Sequence, residues 1–133
     1  MRFLSIYKSE ETNQPPTVEH VTRMQQLIEE GMSAGWLIST EGCLPSAKGA
    51  RVRRSNGKTV VTDGPFTESK ELVAGFAILE AASKQEAIEL TRKFLEVAGS
   101  GECELRQVFT ASDAAPTHAT ETHAQLVEQI VGK

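Results

Sequence analysis

Apolar residues mark two segments of this chain as strands. Residues 2–8 alternate, with Leu4 and Ile6 on one face and Phe3 on the other, a period of two that is typical of a β-strand. Residues 72–80 form the most apolar run in the sequence, which favours a central strand that is buried on both faces. We therefore expect both faces of the sheet that contains these strands to be covered.

Two segments repeat their apolar residues at helical spacing. Thr17 is a suitable N-cap for a helix that runs to about Ala34, and Ser83 with Glu86 forms a capping box for a second helix that ends at Gly99. The apolar stripe predicted for the first helix consists of Val21, Met24, Leu27, Ile28 and Met32.

Shorter segments complete the pattern. Residues 36–39 and 102–109 read as strands, and residues 50–55 and 58–62 flank Asn56-Gly57, a strong signal for a β-hairpin. The resulting order is strand, helix, strand, hairpin, long strand, helix, strand. This order predicts an α+β fold, a ferredoxin-like sandwich with an antiparallel sheet and two helices on one face.

The chain divides into one domain and a tail. We expect a ferredoxin-like domain over residues 1–110, because 133 residues suit a single domain. Residues 111–133 are predicted to be a linker followed by a short C-terminal helix. A helix of that length must dock on the body of its own chain or on another subunit.

The second face of the sheet requires a partner. Two helices cover one face only, while the strands at 2–8 and 72–80 carry apolar side chains on both. An exposed apolar patch of several hundred Å² would be driven toward burial by about 25 cal/mol per Å². A homodimer about a two-fold axis is the economical solution.

Composition excludes several classes of protein. A net charge of −4 argues against direct binding of nucleic acid, and we interpret the basic run Arg51, Arg53 and Arg54 as a solvated strand. No apolar run approaches the roughly 20 residues of a membrane span, and no signal-peptide layout follows Met1. We expect a cytoplasmic protein with reduced cysteines.

The segment Thr62–Glu71, with Asp63-Gly64-Pro65-Phe66 at its centre, resembles a family signature. Together with Glu41–Pro45, residues 72–79 and 83–88, and Glu104-Leu105-Arg106, it is similar to the YCII-related family, in the branch named for the Asp-Gly-Pro-Phe motif. The likeness covers about residues 1–110. It implies a ferredoxin-like fold that dimerises face to face into an αβ barrel, in agreement with the burial argument.

Asp63 is the first candidate for catalysis. An aspartate at a strand end beside a cleft can act as a general acid or base if burial raises its pKa. The alternative is structural, since aspartate in turns often caps backbone N–H groups, here those after Pro65.

Five further residues are candidates for ligand binding. Glu68 and Lys70 can orient a polar ligand or form a solvated cluster of weak ion pairs. Trp36 can form a pocket wall or part of the core. Glu104 and Arg106 share one face of the last strand, predicted to be the helix-free face. They can pair with each other or across the sheet, or they can hold a ligand.

Histidines are weaker candidates. Members of the wider family outside this branch are often assigned a His–Asp pair, but we interpret His20 as a surface residue of the first helical turn. His118 and His123 lack an acidic or cysteine partner at ligand spacing, so we expect no metal site. No phosphate loop or dinucleotide fingerprint is present, and no cofactor is expected.

Two functional hypotheses remain open. In the first, the dimer encloses a pocket in which Asp63 transfers a proton on a small organic substrate, as in a cofactor-free isomerase or lyase; the analogy lies with the wider αβ-barrel group. In the second, the protein binds a ligand or a protein partner without turnover. The resemblance adds a link to sigma-factor-dependent transcription to this second hypothesis.

Overall fold

The computed structural model describes residues 1–113 and 118–131 and has the predicted α+β architecture. Residues 114–117 of the predicted linker and the last two residues lie outside this description. The elements run β1 (Arg2–Ser9), α1 (Val18–Ala34), β2 (Leu37–Gly42), β3 (Ala50–Ser55), β4 (Lys58–Asp63), β5 (Leu72–Glu80), α2 (Lys84–Ala98), β6 (Glu102–Gln107) and α3 (His118–Val131).

Four antiparallel strands form the main sheet in the order β2-β5-β1-β6. Each half of the fold is a strand, a helix and a strand, and the two halves interleave so that β1 and β5 lie at the centre. This is the split βαβ arrangement of a ferredoxin-like sandwich. The predicted fold class is confirmed, including the C-terminal helix.

The predicted helix caps are present. Thr17 Oγ1 accepts a hydrogen bond from the backbone N–H of His20 at 3.1 Å, and Ser83 Oγ accepts one from the N–H of Glu86 at 3.1 Å. The Glu86 carboxylate accepts in turn from the N–H of Ala82, close to a capping box. In the part of the chain that the structure describes, no helix is long and apolar enough to cross a bilayer.

The core lies between α1, α2 and the helix side of the sheet. Its buried residues are Phe3, Leu37, Leu79, Ala81 and Ala87. The predicted stripe of α1 is covered only in its middle, because Val21 and Met32 at its ends are 42% and 50% exposed, and Gly31 is buried instead. The ring of Trp36 occupies the space beside Gly31, so α1 turns its glycine toward the sheet at this level.

The helix-free face of the sheet is apolar and only partly covered. Leu4 pairs with Ile78 and Ile6 with Phe76, so these four side chains share one face of the central strands. Phe76 remains 36% exposed. The chain by itself therefore buries only one face of β5, and the prediction of two buried faces depends on a partner.

Strands β3 and β4 form a separate two-stranded hairpin. Asn56 and Gly57 both have positive φ, 51° and 76°, as the predicted tight turn requires. All twelve strand residues of the hairpin are exposed. The hairpin is thus an arm that carries the chain from the end of β2 back to the start of β5.

Candidate functional site

A cavity of about 620 Å³ lies between the two helices and the helix side of the sheet, and we call it the interlayer cavity. Its volume falls within the range typical of small-molecule sites, about 300–1,000 Å³. Most of its wall is apolar. The large side chains that line it include Val21, Met24, Leu27, Ile28, Leu90 and Phe94.

Three hydroxyl groups in this wall already donate to backbone carbonyls. Tyr7 Oη donates to the carbonyl of Ser100 at 2.7 Å, Thr91 Oγ1 to that of Ala87 at 2.8 Å, and Thr40 Oγ1 to that of Phe76 at 3.0 Å. Their oxygen lone pairs remain able to accept a hydrogen bond. The cavity therefore suits a molecule that is largely apolar and has a few polar atoms.

Two aromatic side chains that carry ring nitrogens, those of Trp36 and His20, line this cavity. Trp36, predicted as a ligand-binding residue, lines it, and the missing side chain at Gly31 makes room for the indole ring. His20 also lines it and is half-buried, which differs from its interpretation as a surface residue. The spacing of His20, Met24 and Leu27 on one helix face was the sequence signal for this placement.

Asp63 ends β4 opposite Ala50 and is exposed. Among the described residues, its carboxylate accepts no hydrogen bond, so the predicted capping role of Asp63 is not seen. Asp63 also lies outside the lining of the interlayer cavity. Its side chain is therefore free to meet a ligand or a second subunit that approaches the base of the hairpin.

The turn after Asp63 is held by a compact set of hydrogen bonds. The N–H of Gly64 donates to the carbonyl of Gly49 at 3.0 Å, and the N–H of Phe66 donates to Ser46 Oγ at 3.1 Å. Ser46 is bound in turn by the carboxylate of Glu11. A Cβ on residue 64 would collide with the carbonyl oxygen of Ser46, which explains why glycine stands there.

Arg51 ties the hairpin to this turn. Its guanidinium forms an ion pair with Glu68 and lies over the ring of Phe66, 3.9 Å from the ring centroid. The hydrogen bond from Arg51 lowers the pKa of Glu68 below its ordinary value. Glu68, a predicted ligand-binding residue, is thus engaged in holding the base of the hairpin.

A shallow depression of about 250 Å³ lies beside the same turn. Lys70, another predicted ligand-binding residue, lines it, and its ammonium group lies 3.9 Å from a carboxylate oxygen of Glu10. Both side chains are well exposed. An ion pair of this kind contributes little to stability and leaves the lysine accessible.

Glu104 and Arg106 lie on the helix-free face, as predicted, because Glu104 pairs with Ile6 and Arg106 with Leu4 across β1. Glu104 accepts from Lys8 Nζ at 3.2 Å and from Arg106 Nη1 at 3.5 Å. The hydrogen bond from Lys8 is the main cause that lowers the pKa of Glu104, with a smaller contribution from Arg106. Both of the predicted alternatives are present, the pair with Arg106 on the same strand and a cross-sheet pair, whose partner is Lys8 of β1.

The six predicted site residues do not meet at one place. Trp36 lines the interlayer cavity, while Asp63, Glu68 and Lys70 gather at the base of the hairpin. Glu104 and Arg106 lie on the opposite face of the sheet from the cavity.

No group of three or more histidine, cysteine, aspartate or glutamate side chains within the described residues could hold a metal ion. The side chains of His118 and His123 lie outside that description. Cys43 and Cys103 are both free thiols, and burial raises the pKa of the Cys103 thiol. Among the described residues, neither cysteine belongs to a group that could hold a metal ion, and the raised pKa of Cys103 disfavours the thiolate form that a nucleophile needs.

A ferredoxin-like sandwich with a cavity between its layers defines the structural class of this protein. The chain matches the description "YCII-related domain" over residues 1–112, and it belongs to that family. It is also 39% identical over 61 residues to an uncharacterized protein of Rhizobium meliloti (strain 1021). This alignment covers 46% of the chain and 49% of the relative, so the chain spans about half the length of the relative that it matches.

Proposed function

We propose that this protein binds a small, predominantly apolar organic molecule in the interlayer cavity. The observation that carries this proposal is a cavity of about 620 Å³ in a chain of only 133 residues, walled by aliphatic and aromatic side chains. Small-molecule sites are usually concave, of this volume, and walled mostly by apolar side chains. This cavity is partly open to solvent, so a ligand can enter it and bury much of its own apolar surface.

Trp36 offers a direct test. It is the single tryptophan of the chain and lines the cavity, so its emission reports on the site alone. We expect small aromatic and branched aliphatic alcohols and amides, which can donate a hydrogen bond to the hydroxyl oxygens of the wall, to quench or shift this emission in a saturable way. A panel of such compounds that leaves the emission unchanged up to millimolar concentration would contradict ligand binding here.

Two valines of α1 provide a matched pair of variants for this titration. Val21 lines the cavity, whereas Val18, at the start of the same helix, is 84% exposed and does not. Val21→Phe should fill part of the cavity and weaken binding of the compound found with the wild type. Val18→Phe adds the same bulk to open surface and should leave the affinity unchanged.

Assembly as a homodimer is the second part of the proposal. The side chains of Leu4, Ile6, Phe76 and Ile78 form an apolar patch at the centre of the helix-free face. Covering it with the same patch of a second copy would bury apolar area on both subunits. Glu104, Lys8 and Arg106 would then lie at the margin of that interface. Burying charges that are already paired with each other costs less free energy than burying an isolated charge.

Catalysis by Asp63 is a further proposal. Its carboxylate accepts no hydrogen bond among the described residues, and because it is exposed, the burial that acid–base catalysis requires would have to come from a ligand or a second subunit. As the general acid or base of a cofactor-free isomerase or lyase, it would have to reach the ligand from the cavity mouth or from a second subunit. With the compound found by the Trp36 titration as substrate, Asp63→Asn should abolish turnover followed by proton NMR. Ligand affinity and melting temperature should stay unchanged; a large loss of stability would show a turn role instead.

A regulatory module without turnover is the alternative. It would use the same cavity as a sensor and would reach its partner, for instance the sigma-factor-dependent transcription machinery, through the C-terminal helix. Leu126, Ile130 and Val131 of α3 are exposed and could form such a contact. Deletion of residues 111–133 should then abolish partner capture, measured by co-purification with a purified sigma factor, without changing the Trp36 titration.

A further inference from the structure

We propose that the β3–β4 hairpin is an arm that packs on a second copy of this chain, where its valines and its unpaired cations are covered. This inference rests on the proposed dimer and adds a second contact to it, separate from the apolar patch of the sheet. It concerns a segment that the sequence argument interpreted as a solvated strand.

The hairpin has no sheet of its own to pack on. Six-residue strands extend about 20 Å at about 3.3 Å per residue, and a two-stranded hairpin alone is marginally stable in water. Val52, Val60 and Val61 are 69%, 59% and 62% exposed. Val52 and Val61 are cross-strand partners, so they form a small apolar surface on one face of the arm.

The base of the arm is fixed, so it points in a defined direction. Gly64 is bonded to Gly49 where the two strands leave the body. Arg51 anchors the first strand through Glu68 and the ring of Phe66. A flexible surface loop would not need this set of contacts, whereas an arm that must meet a partner surface gains affinity from being ordered beforehand.

The distribution of charge favours a second copy of this chain as the partner of the arm. The hairpin carries a net charge of +3, from four basic residues against Asp63, and the chain as a whole carries −4, so the rest of the chain carries −7. Within the described residues, Arg53, Arg54 and Lys58 form no ion pair. Glu41 and Glu102, on the edge strands and on the helix-free side, are likewise without one.

The basic arm of one subunit thus complements the acidic body of another, and a two-fold axis makes the contact twice. A nucleic-acid duplex would also attract the arginines, but it offers no partner for the valines. The apolar surface of the arm favours protein.

The test compares three charged substitutions by sedimentation equilibrium. Val61→Glu places a charge on the arm, and Val18→Glu makes the same change at a more exposed position of α1. Ile78→Glu places a charge on the apolar patch of the sheet. We expect Val61→Glu to raise the dimer dissociation constant by about tenfold or more, as burying an unpaired charge requires. Val18→Glu should leave the constant unchanged.

A shortened arm gives an independent measurement. Removing residues 52–55 and 58–61 joins Arg51 to Thr62, which already pair, through Asn56-Gly57. Because four residues leave each strand, the alternation of the ladder and the anchor at Arg51 are kept. This variant should keep the wild-type circular dichroism of the body and dimerise at least as weakly as Val61→Glu.

Two results would contradict the proposal that the arm packs on a second copy of this chain. If Ile78→Glu disrupts the dimer while Val61→Glu and the shortened arm dimerise like Val18→Glu, the sheet-face dimer holds and the arm has no part in it. If the wild type is a monomer at high micromolar concentration and binds a mixed-sequence DNA duplex through the hairpin, the arm is a nucleic-acid-binding element instead.

Discussion

At the scale of single residues, the contact between Gly31 and Trp36 shapes the cavity. A Cβ added at residue 31 would lie 2.7 Å from the Trp36 ring and 2.8 Å from the Cβ of Leu37. The indole can be moved, but the Leu37 Cβ belongs to a core strand. A glycine that weakens the helix therefore sets the position of the tryptophan that lines the site.

Gly31→Ala should accordingly destabilise the protein. Alanine gains about 1 kcal/mol of helix propensity, but overpacking costs about 1–3 kcal/mol, so we expect a net loss of about 1 kcal/mol in guanidinium unfolding. Trp36 emission should shift in the folded state. Gly42→Ala is the control, because its Cβ would meet nothing within 4 Å. A Gly31→Ala protein that is more stable than wild type would contradict the close contact.

Glu104 makes a pH-dependent contribution to stability. Its pKa is lowered in the folded state by Lys8, so its ion pair stabilises the protein above about pH 4.3, the ordinary pKa of glutamate. That contribution is lost as the pH falls through the lower, folded-state pKa. Glu104→Gln should therefore be less stable than wild type at pH 7, and this difference in stability should shrink at pH 3.

Urea unfolding at the two pH values measures this difference. Glu29→Gln, at an exposed position of α1 without an ion pair among the described residues, is the matched control and should show no such pH dependence. An equal deficit of Glu104→Gln at both pH values would mean that the substitution acts through packing rather than through charge.

At the scale of elements, local signals specify the ends of helices and the hairpin turn. Thr17, Ser83 and Asn56-Gly57 act on backbone groups within four residues of themselves, so neighbouring elements do not alter their role. This is why the bounds of α1, α2 and β3 agree with the sequence analysis.

Ser83→Ala should remove the cap of α2. The N–H of Glu86 would lose its acceptor, and we expect a loss of about 1 kcal/mol in the free energy of unfolding. Ser100→Ala makes the same chemical change at an exposed residue whose backbone carbonyl, rather than its side chain, takes part in bonding, and should be near neutral. Equal effects of both substitutions would show that the cap contributes nothing.

At the scale of the whole molecule, the distribution of apolar surface decides assembly. The helix side of the sheet is buried within one chain, while Ile78 and its neighbours lie on the side that no core residue covers. A chain with this asymmetry lowers its free energy by pairing two such faces.

We therefore expect the wild type to dimerise at micromolar concentration and Ile78→Glu to be a monomer with nearly wild-type secondary structure. Light scattering after size exclusion at several loading concentrations measures both. A wild type that elutes as a monomer at every concentration would remove the assembly proposal, while the Trp36 titration would remain a separate test of the cavity.

The sequence by itself determined the order and type of the elements, the fold class and the apolar character of both sheet faces. These follow from periodicity and from capping or turn residues, which act over a few positions. The sequence also placed Glu104 and Arg106 on the helix-free side, because alternate residues of a strand point to the same face of the sheet.

Only the tertiary structure decided which candidate residues share a site. Trp36 and His20 meet at the interlayer cavity because α1 packs with Gly31 inward, whereas Asp63 stands at the base of an arm away from that cavity. Such proximity depends on helix rotation and on how far a hairpin departs from the sheet. Both are set by packing between distant segments, which no local pattern of residues encodes.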